Sequence, residues 1–501
     1  MTSAFTRVLI ANRGEIALRI IRACHEEGFE AVAVYSDADR SSPYVRAADY
    51  AVHIGPSVAA ESYLRIDRII DAARASGAGA IHPGYGFLSE RAPFAEAVEQ
   101  AGLVFIGPPA SAIRAMGDKT EARRRMQAAN VPVVPGATAA ISDPKAAREM
   151  AASLGYPVLV KAAAGGGGRG MRVVQKEEDL AGAMTSASAE AAKAFGDPAV
   201  YLEKYIVRPR HVEIQVLADN ERTIHLGERE CSIQRRHQKV VEEAPSVAVT
   251  PALRSKMGQA AVSAAVAVGY RGAGTCEFLL AADGSFYFLE MNTRIQVEHP
   301  VTELVYGVDL VREQLRIARG LPMTIHPGEL HPRGWAIECR ITSEDPAQGF
   351  LPSTGRIAYL RAPSGPGVRW DSGVETGDEV TLFYDSMIAK LIVSGPDRAT
   401  ALTRMRRALE ELIVVGIGTN QGFHTRLFAD AAFAKGEVDI QFLDRRADLA
   451  SPGADPERSL PLAVAAAMLE DERRHGLRLS VADGGTGASA WAQAGRREAL
   501  R

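Results

Sequence analysis

The sequence predicts a mixed α/β and α+β fold in three parts. These are an N-terminal doubly wound parallel sheet, a central unit built around a glycine-rich loop and a carboxylate hairpin, and a C-terminal α+β unit. Three observations carry the reading. The first hundred residues alternate short apolar runs with stretches of helical period, the pattern of βαβ units. The run YPVLVKAAAGGGGRGMRVV reads as strand, glycine loop, strand. Two β-prone runs, GTCEFLL and FYFLEMN, flank Asp283-Gly284, a strong hairpin signal.

Composition bounds the function classes. At 501 residues the chain should form several domains, and 47% hydrophobic with 24% charged residues is ordinary for a soluble globular protein. A net charge of -3 gives no global basic surface, so affinity for nucleic acid or anionic membrane is not indicated. No run approaches the roughly 18 apolar residues of a span, and MTSAFTRVLIAN lacks a signal peptide's long apolar core, so a cytoplasmic protein is expected. Cys24, Cys231, Cys276 and Cys339 form no CxxC pair and read as buried small hydrophobes in a reducing compartment.

In order, the N-terminal elements are RVLIAN, a helix from Glu15, AVAVYS, AVHIG, a helix near 63–75, AIHPGYG, a helix from Ser89 and VFIGP. Parallel sheets bind ligands at the carboxyl ends of their strands, which is where Asn12-Arg13-Gly14-Glu15 and His82-Pro83-Gly84-Tyr85-Gly86 fall. Neither is the dinucleotide fingerprint.

From Met116 a helical connector leads to VPVVPG, whose prolines mark a hinge. The glycine loop after it is not a Walker A motif, because Lys161 precedes the glycines and no Gly-Lys-Ser/Thr follows them. Gly165 to Gly168 read either as a cover whose amides close on an anion or as a mobile surface loop. AVYLEKYIV and RHVEIQVLAD are period-two strands, and Glu203-Lys204-Tyr205-Ile206 can offer a base both backbone and side-chain partners. Gln234, Arg235, Arg236, His237 and Lys239 make a local basic cluster that reads as an anion site. A helix is expected over 253–268.

The stretch EMNTRIQVE carries the most chemistry. At the period of a strand, Glu290, Asn292, Arg294, Gln296 and Glu298 share one face, while Met291, Ile295 and Val297 are apolar. Pairing outward from a two-residue Asp283-Gly284 loop puts Glu277 opposite Glu290, with Cβ atoms roughly 5 Å apart. Two carboxylates and the Asn292 amide there suit Mg²⁺ or Mn²⁺ carrying phosphates. Eight extended steps would separate Glu290 from Glu298 by roughly 26 Å, so the segment should bend after about Asn292.

The C-terminal unit shows strands WAIECRITSE, RIAYLRA, GVRWDSGV and YDSMIAKLIVSG with a helix over 398–412. Arg340 alternates there with Cys339 and Ile341, a setting commoner for salt bridges than for catalysis. Beyond about residue 450 the composition turns to Pro, Gly, Ala and Ser, with one helix expected over 460–474.

These features together resemble the ATP-grasp superfamily, and the match is closer still. ANRGEIALRI, IHPGYGFLSE, MGDK, GGGGRGM, PRHVEIQVLAD, RRHQKVVEEAP, RGAGT and EMNTRIQVEHPVTE stand in the order seen in biotin carboxylase, the ATP-dependent half of acetyl-, propionyl- and related acyl-CoA carboxylases. The resemblance covers roughly residues 5 to 445. It implies a biotin-carboxylase N-terminal domain over 1–115, an ATP-grasp domain over 116–333 with a mobile lid near 134–204, and a C-terminal domain over 334–447, leaving 448–501 as a docking tail or spacer.

The resemblance also implies roles. Lys119 and Lys161 would hold ATP phosphates, with Gly165, Gly166, Gly167 and Gly168 closing as the lid. Glu203, Lys204 and Ile206 would meet adenine, with His211, Gln234, His237 and Leu279 lining the nucleotide site. Glu277, Glu290 and Asn292 would bind Mg²⁺ or Mn²⁺. Lys239, Arg294, Gln296 and Val297 would hold bicarbonate, Glu298 would be the general base, Arg340 would face carboxyphosphate and biotin, and Tyr85 would border the biotin site. Ala163 and Ala164 stand where the family often has Ser and Gly, which would stiffen one edge of the lid. The implied ligase carboxylates biotin with ATP and bicarbonate through carboxyphosphate. No Met-Lys-Met tripeptide occurs, so the biotin is expected on a separate carrier protein beside a carboxyltransferase subunit, with a homodimer as the assembly. A carbamoyl-phosphate or amino-acid ligase would share the metal hairpin but not the RRHQKVVEEAP and EMNTRIQVEHP pair, and an ATP-binding scaffold would not need Glu298, Arg294, Lys239 and Arg340.

Overall fold

The computed structural model describes residues 5–450 apart from 138–140, 142, 163–170, 196–197, 237 and 327–329, together with positions 464, 465, 467, 468 and 471. The glycine cover Gly165 to Gly168, Ala163, Ala164 and His237 therefore lie outside the described residues, as does most of the helix expected over 460–474. Met1–Ser451 make one compact unit and Pro452–Arg501 a second, in which the five described positions are helical.

Five strands open the first unit: β1 (Arg7–Ile10), β2 (Glu30–Ser36), β3 (Tyr50–Gly55), β4 (Ala80–His82) and β5 (Val104–Phe105). They pair in parallel in the order β3-β2-β1-β4-β5. Alternate residues of β1 serve opposite faces: Val8 and Ile10 pack with Ile16 and Ile20 of the helix Gly14–Glu26, whereas Leu9 packs with Ile69, Ile70 and Phe94. Burial on both faces is why these strands are apolar throughout. The helix expected from Ser89 starts at Ala92, with Pro93 in its first turn. The strand order reverses between β1 and β4, and Asn12 ties their two following loops together by donating to Pro83 O at 2.8 Å and Tyr85 O at 2.7 Å.

A second sheet contains β6 (Val158–Ala162), β7 (Met171–Val174) and β8 (Val200–Lys204), ordered β7-β6-β8 and antiparallel. With the helices Pro144–Leu154 and Glu177–Phe195 it encloses its own small core of Ala147, Val158, Val160, Leu180 and Leu202.

The largest sheet carries the chemistry. It contains β9 (Arg210–Ala218), β10 (Thr223–Arg235), β11 (Gln238–Ala244), β12 (Gly272–Leu280), β13 (Phe286–Asn292) and β14 (Trp335–Thr342), then the strands Met387–Gly395 and Val368–Ser372. Its order is β13-β12-β9-β10-β11-β14 followed by those last two, all antiparallel. One sheet thus runs unbroken past position 333, where the family resemblance implies a domain boundary. The helix Arg398–Glu411 covers its C-terminal part, joined by Gln421–Ala429 and Ala431–Lys435, two short helices that sequence reasoning missed. The four cysteines are free and buried. Among the described residues no helix is long and apolar enough to cross a membrane.

Candidate active site

Glu277 stands opposite Glu290, as the hairpin reading requires, but the route differs. Ala281 N donates to Ser285 O at 2.8 Å, so the loop holds three residues, 282–284, with Gly284 at φ +85°. That register alone pairs Leu280 with Phe286 and would leave Glu290 one residue out. A bulge at Leu289 restores it, and the two departures from the two-residue loop cancel. β13 ends at Asn292 and the next helix begins at His299, so the segment bends where the length argument demands.

The bend is pinned from outside. Glu90 accepts from Thr293 N and from Arg294 Nε, each at 3.0 Å, and Arg294 Nη2 donates to Asn292 Oδ1 at 2.8 Å. Lys390, fully buried, donates to Val297 O at 2.9 Å. These contacts turn Gln296 and Glu298 back toward Lys239, which comes from β11. Lys239 Nζ donates to Glu213 at 2.5 Å, Glu298 at 2.7 Å, Glu277 at 2.8 Å and Gln296 at 3.1 Å. Arg340 on β14 reaches Glu242 at 2.6 Å and Glu298 at 3.1 Å. Below them Arg229, fully buried, is spent on Glu213, Gln215, Thr302 and Thr275.

This arrangement sets the charges. Burial opposes ionisation of Glu298, but Lys239, Arg340 and Arg229 outweigh it and hold the carboxyl far below the usual range. Burial likewise works against Glu277, and Lys239 with His211, 3.3 Å away, brings it well below that range. Glu290 goes the other way, pushed up by burial and then by the charge of Glu277. The Lys239 ammonium, desolvated but ringed by Glu213, Glu277 and Glu298, is held charged well beyond the ordinary lysine range.

A cavity of about 710 Å³ collects most of the predicted residues. Lys119, Lys161, Glu203, His211 and Gln234 line it, with Glu277, Glu290 and Asn292. Lys239, Arg294, Gln296, Val297, Glu298 and Arg340 complete that set. Lys161 bonds Glu203 at 2.9 Å and Arg123 bonds the other oxygen of Glu203 at 2.9 Å. Lys204, Ile206 and Leu279 are not brought into this lining. Lys204 Nζ caps Gly155 O at 2.7 Å, and Leu279 pairs with His211 across β9 and β12. A second cavity of about 560 Å³, walled by Phe87, Phe350, Phe383 and Tyr384, contains Tyr85. The two share Gln238, Lys239, Val297 and Arg340 as a common wall.

Sequence reasoning missed Glu90, Arg123, Glu213, Arg229, Glu242 and Lys390. Glu213 was within reach, because it shares the period-two face of His211 in RHVEIQVLAD. Glu90 was not, since it contacts Arg294 across more than 200 residues of chain.

Opposed carboxylates, lysines facing one cavity and a charged wall toward a second, apolar cavity fit the class of ATP-dependent ligases that activate a small anion for transfer. Comparison with known families agrees. Residues 4–113 match the family described as "Biotin carboxylase, N-terminal domain", 118–326 match "Carbamoyl-phosphate synthase L chain, ATP binding domain", and 338–445 match "Biotin carboxylase C-terminal domain". The chain is 54% identical over 440 residues to the biotin carboxylase of Nostoc sp., covering 88% of this chain and 98% of that one. It is also 54% identical over 441 residues to a pyruvate carboxylase subunit of Methanothermobacter thermautotrophicus, covering 88% and 90%. The biotin carboxylase domain dimer of Hydrogenobacter thermophilus 2-oxoglutarate carboxylase, solved with MgADP, ADP and bicarbonate, superposes with a TM-score of 0.82 at 46% identity, covering 90% of this chain and 99% of that one. The chain belongs to the biotin carboxylase family.

Proposed function

We propose that this chain carboxylates biotin with ATP and bicarbonate, the first half-reaction of a biotin-dependent carboxylase. The observation that carries the reading is the wall of Lys239, Val297 and Arg340 shared by a charged cavity and an apolar one, with Glu298 in contact with both cations. Nucleotide phosphates belong with Lys119 and Lys161, and biotin belongs beside Tyr85 in the apolar cavity.

Bicarbonate is a weak nucleophile and needs both a proton acceptor and a fixed orientation. Arg294, Lys239 and Gln296 orient it, and Glu298 takes its proton. With Lys239 and Arg340 on its two oxygens, Glu298 is ionised but weakly basic. As those cations turn to the substrate anion, its basicity rises, so the base is released by the substrate it serves. Attack on the γ-phosphate then forms a carbon–oxygen–phosphorus link, carboxyphosphate, and releases ADP. Carboxyphosphate breaks down to CO₂ and phosphate, the phosphate takes the N–H proton of biotin while Arg340 steadies the negative oxygen that develops on the ureido ring, and the freed nitrogen attacks CO₂ to form the N–carboxyl bond.

The opposed Glu277 and Glu290, one pushed up by the charge of the other, fit a hard divalent cation. These two and the Asn292 oxygen would hold Mg²⁺ or Mn²⁺, which when bound neutralises charge on the nucleotide phosphates. Asn292 Oδ1 accepts from Arg294 and keeps a second lone pair for the cation.

The carrier of biotin and a carboxyltransferase are the expected partners, and a homodimer the expected assembly, in keeping with a relative named as one component of a larger carboxylase and with the dimer solved for the Hydrogenobacter domain. The decisive assay is ATP hydrolysis that depends on bicarbonate and is stimulated by free biotin. Ammonia-dependent turnover in its place would refute the reading.

A further inference from the structure

Glu338 is buried to 0% exposure on β14, and neither carboxyl oxygen has a hydrogen-bond partner among the described residues. The cations nearest to it are committed elsewhere. Arg340 donates to Glu242 and Glu298. Lys390, across the sheet on Met387–Gly395, serves Val297 O and Glu15, with Asp371 at 4.0 Å. Directly opposite Glu338 on β11 stands Glu242, also at 0% exposure, whose Oε1 binds Arg340 and whose Oε2 is itself buried without a partner. Cross-strand neighbours on one face have Cβ atoms roughly 5 Å apart, within reach of a carboxyl-to-carboxylate hydrogen bond.

We propose that Glu338 is held protonated and donates its proton to the vacant Oε2 of Glu242, so that the pair carries one negative charge rather than two behind Arg340. Two bare carboxylates at this spacing, away from water, would repel strongly, and one shared proton removes the conflict. Burial pushes Glu338 well above the carboxylate range despite the attraction of Lys390, and it pushes Glu242 up to about 7 against the pull of Arg340. The other groups facing Glu338 are Glu298 before the helix His299–Tyr306, whose charge also favours the proton, and Tyr85, whose hydroxyl is engaged with Glu15.

The consequence for the reaction rests on the carboxylation reading. Arg340 already faces Glu242 and Glu298, and a third anionic carboxylate would cancel the positive field that an incoming bicarbonate or biotin oxyanion meets. Glu338 is a positioning residue in this sense: it touches no substrate, and its proton keeps Arg340 net attractive.

Infrared difference spectroscopy of the whole protein at neutral pH, wild type against Glu338→Gln, tests the proton directly. The expected result is loss of a protonated carboxylic-acid carbonyl band in the variant. Loss of only carboxylate bands would overturn the proposal. Should the variant fail to fold, Glu338→Asp decides the matter: an acid carbonyl band shifted from its wild-type position supports the proposal, and a band unchanged from wild type overturns it. In turnover, the KM for bicarbonate of the wild type should rise roughly tenfold relative to Glu338→Gln as pH rises and the band fades, with kcat changing less. Equal KM profiles in the two proteins would overturn the role assigned to the proton. If neither protein hydrolyses ATP in response to bicarbonate, the carboxylation reading fails, while the infrared result still decides the proton.

Discussion

Lys239 is the residue on which three buried carboxylates depend, since Glu213 and Glu298 are wholly buried and Glu277 nearly so. Removing one partner of a buried ion pair leaves charge that water no longer solvates, at about 3–5 kcal/mol. Lys239→Met should therefore lower stability by about that amount, read as a fall in the urea midpoint, besides abolishing turnover. Glu298→Gln is different, because the amide keeps the shape and the remaining carboxylates keep Lys239. Nucleotide binding should survive in it, while bicarbonate-dependent hydrolysis falls by roughly a hundredfold or more. An unchanged rate would remove Glu298 from its role as base. The same cluster fixes acid sensitivity. Glu277 and Glu298 are depressed in the folded state, so their contribution is present above the unfolded glutamate value of about 4.3 and is lost as pH falls below it. Melting temperature against pH should drop steeply below about 4, and Glu298→Gln should soften that drop. These roles could be proposed from sequence because RRHQKVVEEAP and EMNTRIQVEHP resemble the motifs of the biotin carboxylase family. The counter-charges Glu242, Arg229 and Lys390 could not, because each acts from another strand of the sheet.

At the scale of the element, the hairpin shows what period-two reading reaches. The faces of β12 and β13 and the Glu277–Glu290 pairing were legible, because side chains alternate whatever the turn does. The three-residue loop and the Leu289 bulge were not, because both are backbone choices that leave composition unchanged. Gly284 sits at φ +85°, a region that L side chains rarely adopt, and open space surrounds its missing Cβ. Gly284→Ala should thus cost about 1 kcal/mol through backbone strain alone. Because the substitution strains the loop without changing its length and leaves the Leu289 bulge untouched, Glu290 should stay opposite Glu277 and turnover should be unaltered. A large fall in kcat without further loss of stability would show that the turn, rather than the bulge, holds the register.

At the scale of the molecule, the parallel N-terminal sheet was legible from its alternation of strand and helix, but the join between the central and C-terminal parts was not. That join pairs β11 with β14, nearly a hundred residues apart, and no local signal marks it. Side chains reinforce it: Trp335 Nε1 and Arg398 Nε both donate to Glu243 Oε2 at 2.7 Å, and Arg340 crosses to Glu242 and Glu298. The three-stranded sheet of β6, β7 and β8 is built differently. Its core is a separate small cluster, and many of its helix residues are exposed. Opening free energy follows buried apolar contact and sheet continuity, so the two parts of the large sheet should open together and the small sheet before them. Native-state hydrogen exchange should find β9 to β14 protected as one cooperative unit across position 333, with β6 to β8 exchanging faster. Saturating nucleotide should slow β6 to β8 more than the rest, because Lys161 and Glu203 on those strands line the cavity that would be filled. Uniform protection in both states would argue that the small sheet is a fixed part of the body rather than a cover.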